Sequence, residues 1–317
     1  MRNMWKDAVL GVVTGDALGL PVQFESREET RQHPITGMRG NGTFRMPPGT
    51  WTDDSSLTLA LLDSIREKNA IDLNHIMDNF VQWLYHNEFT PFNEAFDIGQ
   101  GTMQAIRVYR LLRDPARCGG AEVWNNGNGS LMRIMPACLY CCAKGLDDEN
   151  AVQLVHQISA LTHAHIRAKI ACGLYYFMVR ALLREEGSLS QRLQKGLDRG
   201  FAWYDASLVD KKEVAFYDRL RDLSAFAQTP EEEISSKGYV VASLEAAVWS
   251  LLGSDTFESA LLKAVNLGWD SDTVGAIAGG LAGLYYGCGA IPEDWLAALQ
   301  RRAWIEEMCD AAQAAVQ

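Results

Sequence analysis

Helical spacing organises this chain. In SSLTLALLDSIREK the apolar or small residues Leu57, Ala60, Leu61, Ser64 and Ile65 recur at the 3.6-residue period of one helix face. Similar faces run through AVQLVHQISALTH, RAKIACGLYYFMVRALLREE, YVVASLEAAVWSLL and DTVGAIAGGLAGLYYG, and alternating strand patterns are nearly absent. An all-α fold is expected. The segments between these faces are polar or rich in Gly, Pro and Asn, notably residues 32 to 52 and 118 to 130, so function is sought in those loops. No internal repeat or low-complexity stretch interrupts the pattern, and Glu231 to Glu233 read as a solvated helix start.

Two helices carry glycine at every fourth position: Gly11, Gly15 and Gly19 near one end of the chain, and Gly275, Gly279, Gly283 and Gly287 near the other. Each helical Gly costs about 1 kcal/mol relative to Ala. Seven of them need a compensating gain. A smooth glycine face admits another backbone at close range, so both helices are expected to pack tightly at the centre of the fold.

Composition narrows the classes. The chain has 317 residues, 48% of them hydrophobic, enough for a substantial core, and a net charge of −11 that argues against a nucleic-acid backbone as main partner. Asp7 and Asp16 interrupt the apolar opening MRNMWKDAVLGVVTGDALGLPV, which is therefore not read as a signal peptide. No stretch reaches the roughly 18 uncharged apolar residues of a membrane helix. The seven cysteines lack paired C-x-x-C spacing and read as small core residues of a cytoplasmic protein.

The candidate chemistry lies in two stretches that mirror each other. Thr52-Asp53-Asp54 precedes one apolar helix, and Asp270-Ser271-Asp272-Thr273 precedes another. Each aspartate by itself is a good helix N-cap. Brought together, four carboxylates and two hydroxyls would repel unless a cation neutralised them, and oxygen-only ligands select Mg, Mn or Ca over Zn. Such a ligand count supports a pair of metals about 3.5 to 4 Å apart.

Taken in order, GVVTGDALGLPVQFE, TWTDDSSLTLALLDSI, FDIGQGT, NNGNGSLMR, ALTHAH and NLGWDSDTVGAIAGG resemble the ADP-ribosylglycohydrolase family from about Val9 to Tyr286. The resemblance implies a single compact all-α domain spanning residues 1 to 317, of the orthogonal helical type, with two Mg or Mn ions in a cleft. Its metal ligands would be Thr52, Asp53, Asp54, Asp270, Asp272 and Thr273. Glu25 would position or activate water, and Asp272 would be catalytic as well as a ligand. The implied reaction is hydrolysis of the bond between ribose C1 and a modified side chain of an ADP-ribosylated protein, commonly arginine, releasing ADP-ribose. Asp97 would pair with the arginine guanidinium and take part in proton transfer.

In the same resemblance, Gly127, Asn128, Gly129, Ser130 and His163 would meet the diphosphate, while His165 stays structural. Trp269 stands where the family often has a small residue, which leaves pocket shape open; adenine stacking is divided among Trp269, Tyr239 and Phe92. Hydrolysis of another linkage, serine or O-acetyl-ADP-ribose, and a non-catalytic binding or structural role are the alternatives. Among relatives the resemblance implies either regulation of a target enzyme or immunity to ADP-ribosylating toxins; the helix expected near Trp5 leaves no N-terminal arm to block a toxin, so immunity in this reading depends on catalysis.

Overall fold

The computed structural model describes residues 2–316. Sixteen α-helices, short 3-10 turns and three isolated β-bridges make up its regular structure, with no named strand among the described residues. In order they are α1 (Met4–Gly19), α2 (Arg27–Gln32), α3 (Asp53–Lys68), α4 (Leu73–His86) and α5 (Gln100–Leu112). Next come α6 (Met135–Ala143), α7 (Asp148–Ala160), α8 (Ile166–Arg184), α9 (Leu189–Ala206), α10 (Lys211–Val214) and α11 (Leu223–Phe226). The last group is α12 (Val240–Leu252), α13 (Phe257–Val265), α14 (Ser271–Tyr286), α15 (Glu293–Ala298) and α16 (Arg302–Val316). The five helical segments read from periodicity match α3, α7, α8, α12 and α14. No helix among the described residues is long and apolar enough to cross a membrane.

The pair α1 and α14 forms the axis of the molecule, and both helices are buried along nearly their whole length. Glycine makes this possible. A Cβ on Gly11 would lie 2.1 Å from the carbonyl oxygen of Gly279, and one on Gly15 would lie 2.0 Å from that of Gly275. The close approach compensates for the helix propensity lost at those positions. Gly287 differs from the rest: at φ 84° it follows the last turn of α14 and ends the helix.

The other helices pack around this axis. α12 and α13 lie against α14, α3 and α16 against α1, and α8 packs with α7 and α9. One continuous apolar core runs from Trp5 to Val316. All seven cysteines are free, and all but the half-buried Cys288 are buried. Asp7, which interrupts the opening apolar run, accepts the Cys288 N–H at 2.7 Å and the Arg2 guanidinium at 2.5 Å, tying the end of α14 to α1.

Candidate active site

The other acid of α1, Asp16, is fully buried and sits on the N-terminus of α3. Its carboxylate accepts the backbone N–H groups of Thr52 and Ser55 at 3.0 Å and the Ser55 hydroxyl at 2.5 Å. These are the donors a helix start leaves unpaired. Burial raises the Asp16 pKa to about 7 despite these bonds. Thr52 is the N-cap, and its hydroxyl accepts the Asp54 N–H at 3.3 Å.

The start of α14 comes to the same place. Ser271 donates to the Gly19 carbonyl at 2.9 Å, and a Cβ on Gly19 would fall 2.5 Å from the Asp272 backbone, so the end of α1 fixes the register of α14. Thr273 then donates to Asp54 Oδ2 at 3.2 Å, joining the two motifs across 219 positions. Oxygens of Asp16, Asp54 and Asp272 lie within 4.8 Å of one another. Both oxygens of Asp272 and Oδ1 of Asp54 are buried without a hydrogen-bond partner.

Unpartnered buried carboxylates are costly, and here they repel one another as well. Burial, followed by the neighbouring aspartates, drives the pKa values of Asp53, Asp54 and Asp272 well above the ordinary range. Asp270 is raised to about 6 by burial, with Asn128 opposing the shift by donating to its Oδ2 at 2.6 Å. The vacant oxygen lone pairs and the excess negative charge fit hard divalent cations. Asp16 fits less well as a ligand, because its bonds to the α3 start already occupy both oxygens.

In front of this cluster is a cavity of about 370 Å³. Asp53, Asp97, Asp270 and Thr273 line it, whereas Thr52, Asp54 and Asp272 lie behind its wall. Asp97 has a left-handed backbone (φ 53°) and accepts from Gln23 Nε2 at 2.8 Å; burial raises its pKa. Gln23 is buried, lines the same wall and leaves its Oε1 unpaired.

Gly127, Asn128 and Gly129 line the cavity beside His163 and Thr102. The buried Arg133 braces this loop by donating to the Gly129 carbonyl at 2.7 Å and to the Thr162 hydroxyl at 2.9 Å. Thr162 in turn faces His163 Nδ1 at 2.8 Å. The Thr162 hydroxyl can donate to Nδ1 or accept from it, and either way the contact fixes the orientation of the imidazole. Burial, then Arg133, depresses the His163 pKa to about 3, which keeps the ring neutral. Gly101 and Gly129 leave room for it: a Cβ on Gly129 would lie 2.7 Å from His163 Cε1.

The remaining sequence candidates lie outside the cavity wall. Ser130 is fully buried and accepts from the Ser159 hydroxyl at 2.9 Å. Trp269 is 38% exposed and lies beneath the Lys237 ammonium. Tyr239 is half-buried and hydrogen-bonded to Arg167, and Phe92 is exposed; neither lines the cavity. Glu25 is half-buried, and its backbone carbonyl accepts the Trp269 N–H at 2.7 Å, but it too is absent from the wall. His165 caps α8.

Asp16, Gln23 and Arg133 are the site residues that the sequence reading missed. Each acts on a partner far along the chain or inside a glycine-rich turn. The only local signal was an acid placed one turn before the end of an apolar helix.

The chain is similar to known proteins along nearly its whole length. Residues 2–317 match the family described as ADP-ribosylglycohydrolase. The chain is 30% identical over 305 residues to the ADP-ribosylarginine hydrolase Tri1 of Serratia proteamaculans (strain 568), covering 96% of this chain and 77% of that protein. It is also 30% identical over 297 residues to the ADP-ribosyl-[dinitrogen reductase] glycohydrolase of Rhodospirillum rubrum, covering 93% and 90%. A solved structure, titled ADP-ribosylglycohydrolase-related protein complex, superposes with a TM-score of 0.80 at 31% identity over 99% of this chain and 98% of that one.

Proposed function

The chain belongs to the ADP-ribosylglycohydrolase family, and from that premise we propose that it hydrolyses the bond between ADP-ribose and an arginine side chain on modified proteins, with two Mg or Mn ions. The observation that carries the metal half of this reading is the buried carboxylate cluster, in which Asp54 Oδ1 and both Asp272 oxygens lack any partner. Thr52, Asp53, Asp54, Asp270, Asp272 and Thr273 would hold the ions, and Asp16 would hold α3 in place beneath them. When bound, such ions supply Lewis acidity and an acidified water.

The chain's own residues account for the rest. Neutral His163 lines the cavity beside the Gly127–Gly129 loop, whose glycines let backbone N–H groups face one anion, which suits the diphosphate. Asp97, fixed by Gln23, suits the guanidinium of the target arginine through a charge-assisted pair. Hydrolysis adds the oxygen of water to ribose C1 as the C1–nitrogen bond breaks, and the proton released by water ends on the leaving guanidine. Asp97 is the wall carboxylate outside the proposed ligand set, and its raised proton affinity suits it to carry that proton. Glu25 would reach the water only if the 23–25 turn brought its side chain into the cleft.

The test is release of ADP-ribose from an arginine-ADP-ribosylated protein in Mg, in Mn and in EDTA, by the wild type and Asp272→Ala. Release that needs a cation and vanishes in the variant supports both halves of the reading. Release undiminished by EDTA would overturn the metal half, and absence of release under every condition would overturn the reaction.

A further inference from the structure

We propose that Phe24, Phe44 and Phe96 form a docking ledge for the loop of the target protein that carries the modified arginine, and that apolar residues flanking that arginine rest on it. The proposal rests on the arginine-hydrolase reading above and adds how the protein part of the substrate is held.

Three separate segments build the ledge. Phe24 follows Gln23, Phe96 precedes Asp97, and Phe44 bridges them, with ring centroids 6.2 Å from Phe24 and 5.5 Å from Phe96. The two outer rings thus flank the Gln23–Asp97 pair in sequence, beside the carboxylate assigned to the guanidinium. Phe24 is 58% exposed and also lines the cavity, so the apolar surface continues from the cleft to its outside.

The fold holds Phe24 at some conformational cost. Phe24 has φ 69° and Trp269 φ 59°, and the Phe24 N–H donates to the Trp269 carbonyl at 2.6 Å. Such backbone strain persists where the surroundings over-determine it. The Phe44 loop is closed by Asn41 N–H donating to the Met46 carbonyl at 2.7 Å, and Thr43 donates to the Gln23 carbonyl at 2.5 Å. Gly42, at φ 67°, permits this seat: a Cβ there would lie 1.9 Å from the Pro21 carbonyl oxygen. A loop pinned this way presents Phe44 in one place, at low entropic cost to a binding partner.

Area decides among occupants. Three partly buried rings offer at most a few hundred Å², well below the roughly 800 Å² per partner of a stable protein interface. A second copy of the chain would need more surface. A substrate loop, anchored already by its ADP-ribosyl-arginine in the cleft, needs only such a supplement.

The experiment compares two substrates: an arginine-ADP-ribosylated protein with apolar neighbours at the modified site, and the free amino-acid conjugate ADP-ribosyl-arginine. Phe44 does not line the cavity, so Phe44→Ala is expected to lower kcat/KM for the protein about tenfold, mainly through KM, while leaving the free conjugate unchanged. Phe44→Tyr should restore the protein reaction, and ADP-ribose affinity by calorimetry should be the same in all three forms. Equal loss on both substrates, or loss on neither, would overturn the ledge while leaving the reaction standing. Failure of the wild type to cleave either substrate would overturn the reaction, and the ledge with it.

Discussion

The starts of α3 and α14 are near mirror images in sequence and opposites in structure. At α3 the backbone donors are paired: Thr52 caps the helix, and Asp16 accepts two more from below, although Asp54 Oδ1 stays unpartnered. At α14 Asp270 makes no capping bond, and both Asp272 oxygens are buried without a partner. Two acid-rich helix starts therefore contribute different things. One is a finished structural joint that carries Asp53 and Asp54; the other is left incomplete, and its completion requires something from outside the chain.

Removing one acid from each side should break the symmetry most visibly. Asp272→Ala is expected to lower ADP-ribose release by about 10³-fold, the scale on which loss of a preorganised charge acts. In EDTA the same change should leave stability unchanged or raise it, because it deletes an unpartnered buried carboxylate. Asp16→Ala should instead cost about 2 to 4 kcal/mol in denaturant unfolding, since it strands the Thr52 and Ser55 N–H groups. If both variants lost stability alike in EDTA, the distinction between joint and open site would fall.

Both starts depend on the glycine seam beneath them. Gly279→Leu would drive a side chain into the Gly11 carbonyl, and the separation of α1 from α14 should cost about 3 kcal/mol and disturb the alignment of the two motifs. A melting temperature equal to the wild type's would mean that the seam has slack.

Much of this was legible in sequence because it was local or periodic. The glycine spacing announced the α1–α14 contact, and the apolar faces announced five helices. Thr52-Asp53-Asp54 and Asp270 to Thr273 stood out because each holds one more acid than a helix cap requires. Asp16 was legible only as an interruption: its partners lie 36 and 39 residues away and are backbone groups, which leave no signature in side-chain identity. Gln23 was overlooked beside Glu25 because charge marks chemistry more loudly than an amide does, and the 3-10 turn over Leu20–Val22 decides which of the two faces the cavity. The inward turn of the Ser130 side chain is hidden for a similar reason. A residue that ends a glycine loop can turn inward, and nothing nearby in sequence says so.

A cation should sharpen the comparison from the other direction. At a free concentration about 100 times its Kd, Mg or Mn bound only to the folded state would add about 2.7 kcal/mol. Thermal melts should show that gain in the wild type and in Phe44→Ala, and lose it in Asp272→Ala. Equal stabilisation of Asp272→Ala would place the cation somewhere other than the open end of α14.

The smallest effect separates the carboxylates from the buried histidines by sign. His156, bonded to the Tyr204 hydroxyl at 2.8 Å, and His163 are each held neutral by burial, with pKa values lowered to about 3. A depressed histidine contributes stability that is complete above its unfolded pKa, near 6.5, and is lost as pH falls toward 3. Between pH 7.5 and 5.5 that loss amounts to about 1.4 kcal/mol for each histidine. The aspartates act the opposite way. Their raised pKa values contribute stability at low pH that disappears as pH rises through about 6 for Asp270 and about 7 for Asp16. Cation binding keeps the cluster ionised in the folded state and removes the opposing contribution. Stability in Mg should therefore rise more steeply from pH 5.5 to 7.5 than in EDTA, and His156→Gln should flatten both curves by the share of one histidine. Superimposable slopes in Mg and EDTA would show that the carboxylates do not sense the cation, and the open end of α14 would then have to be satisfied in some other way.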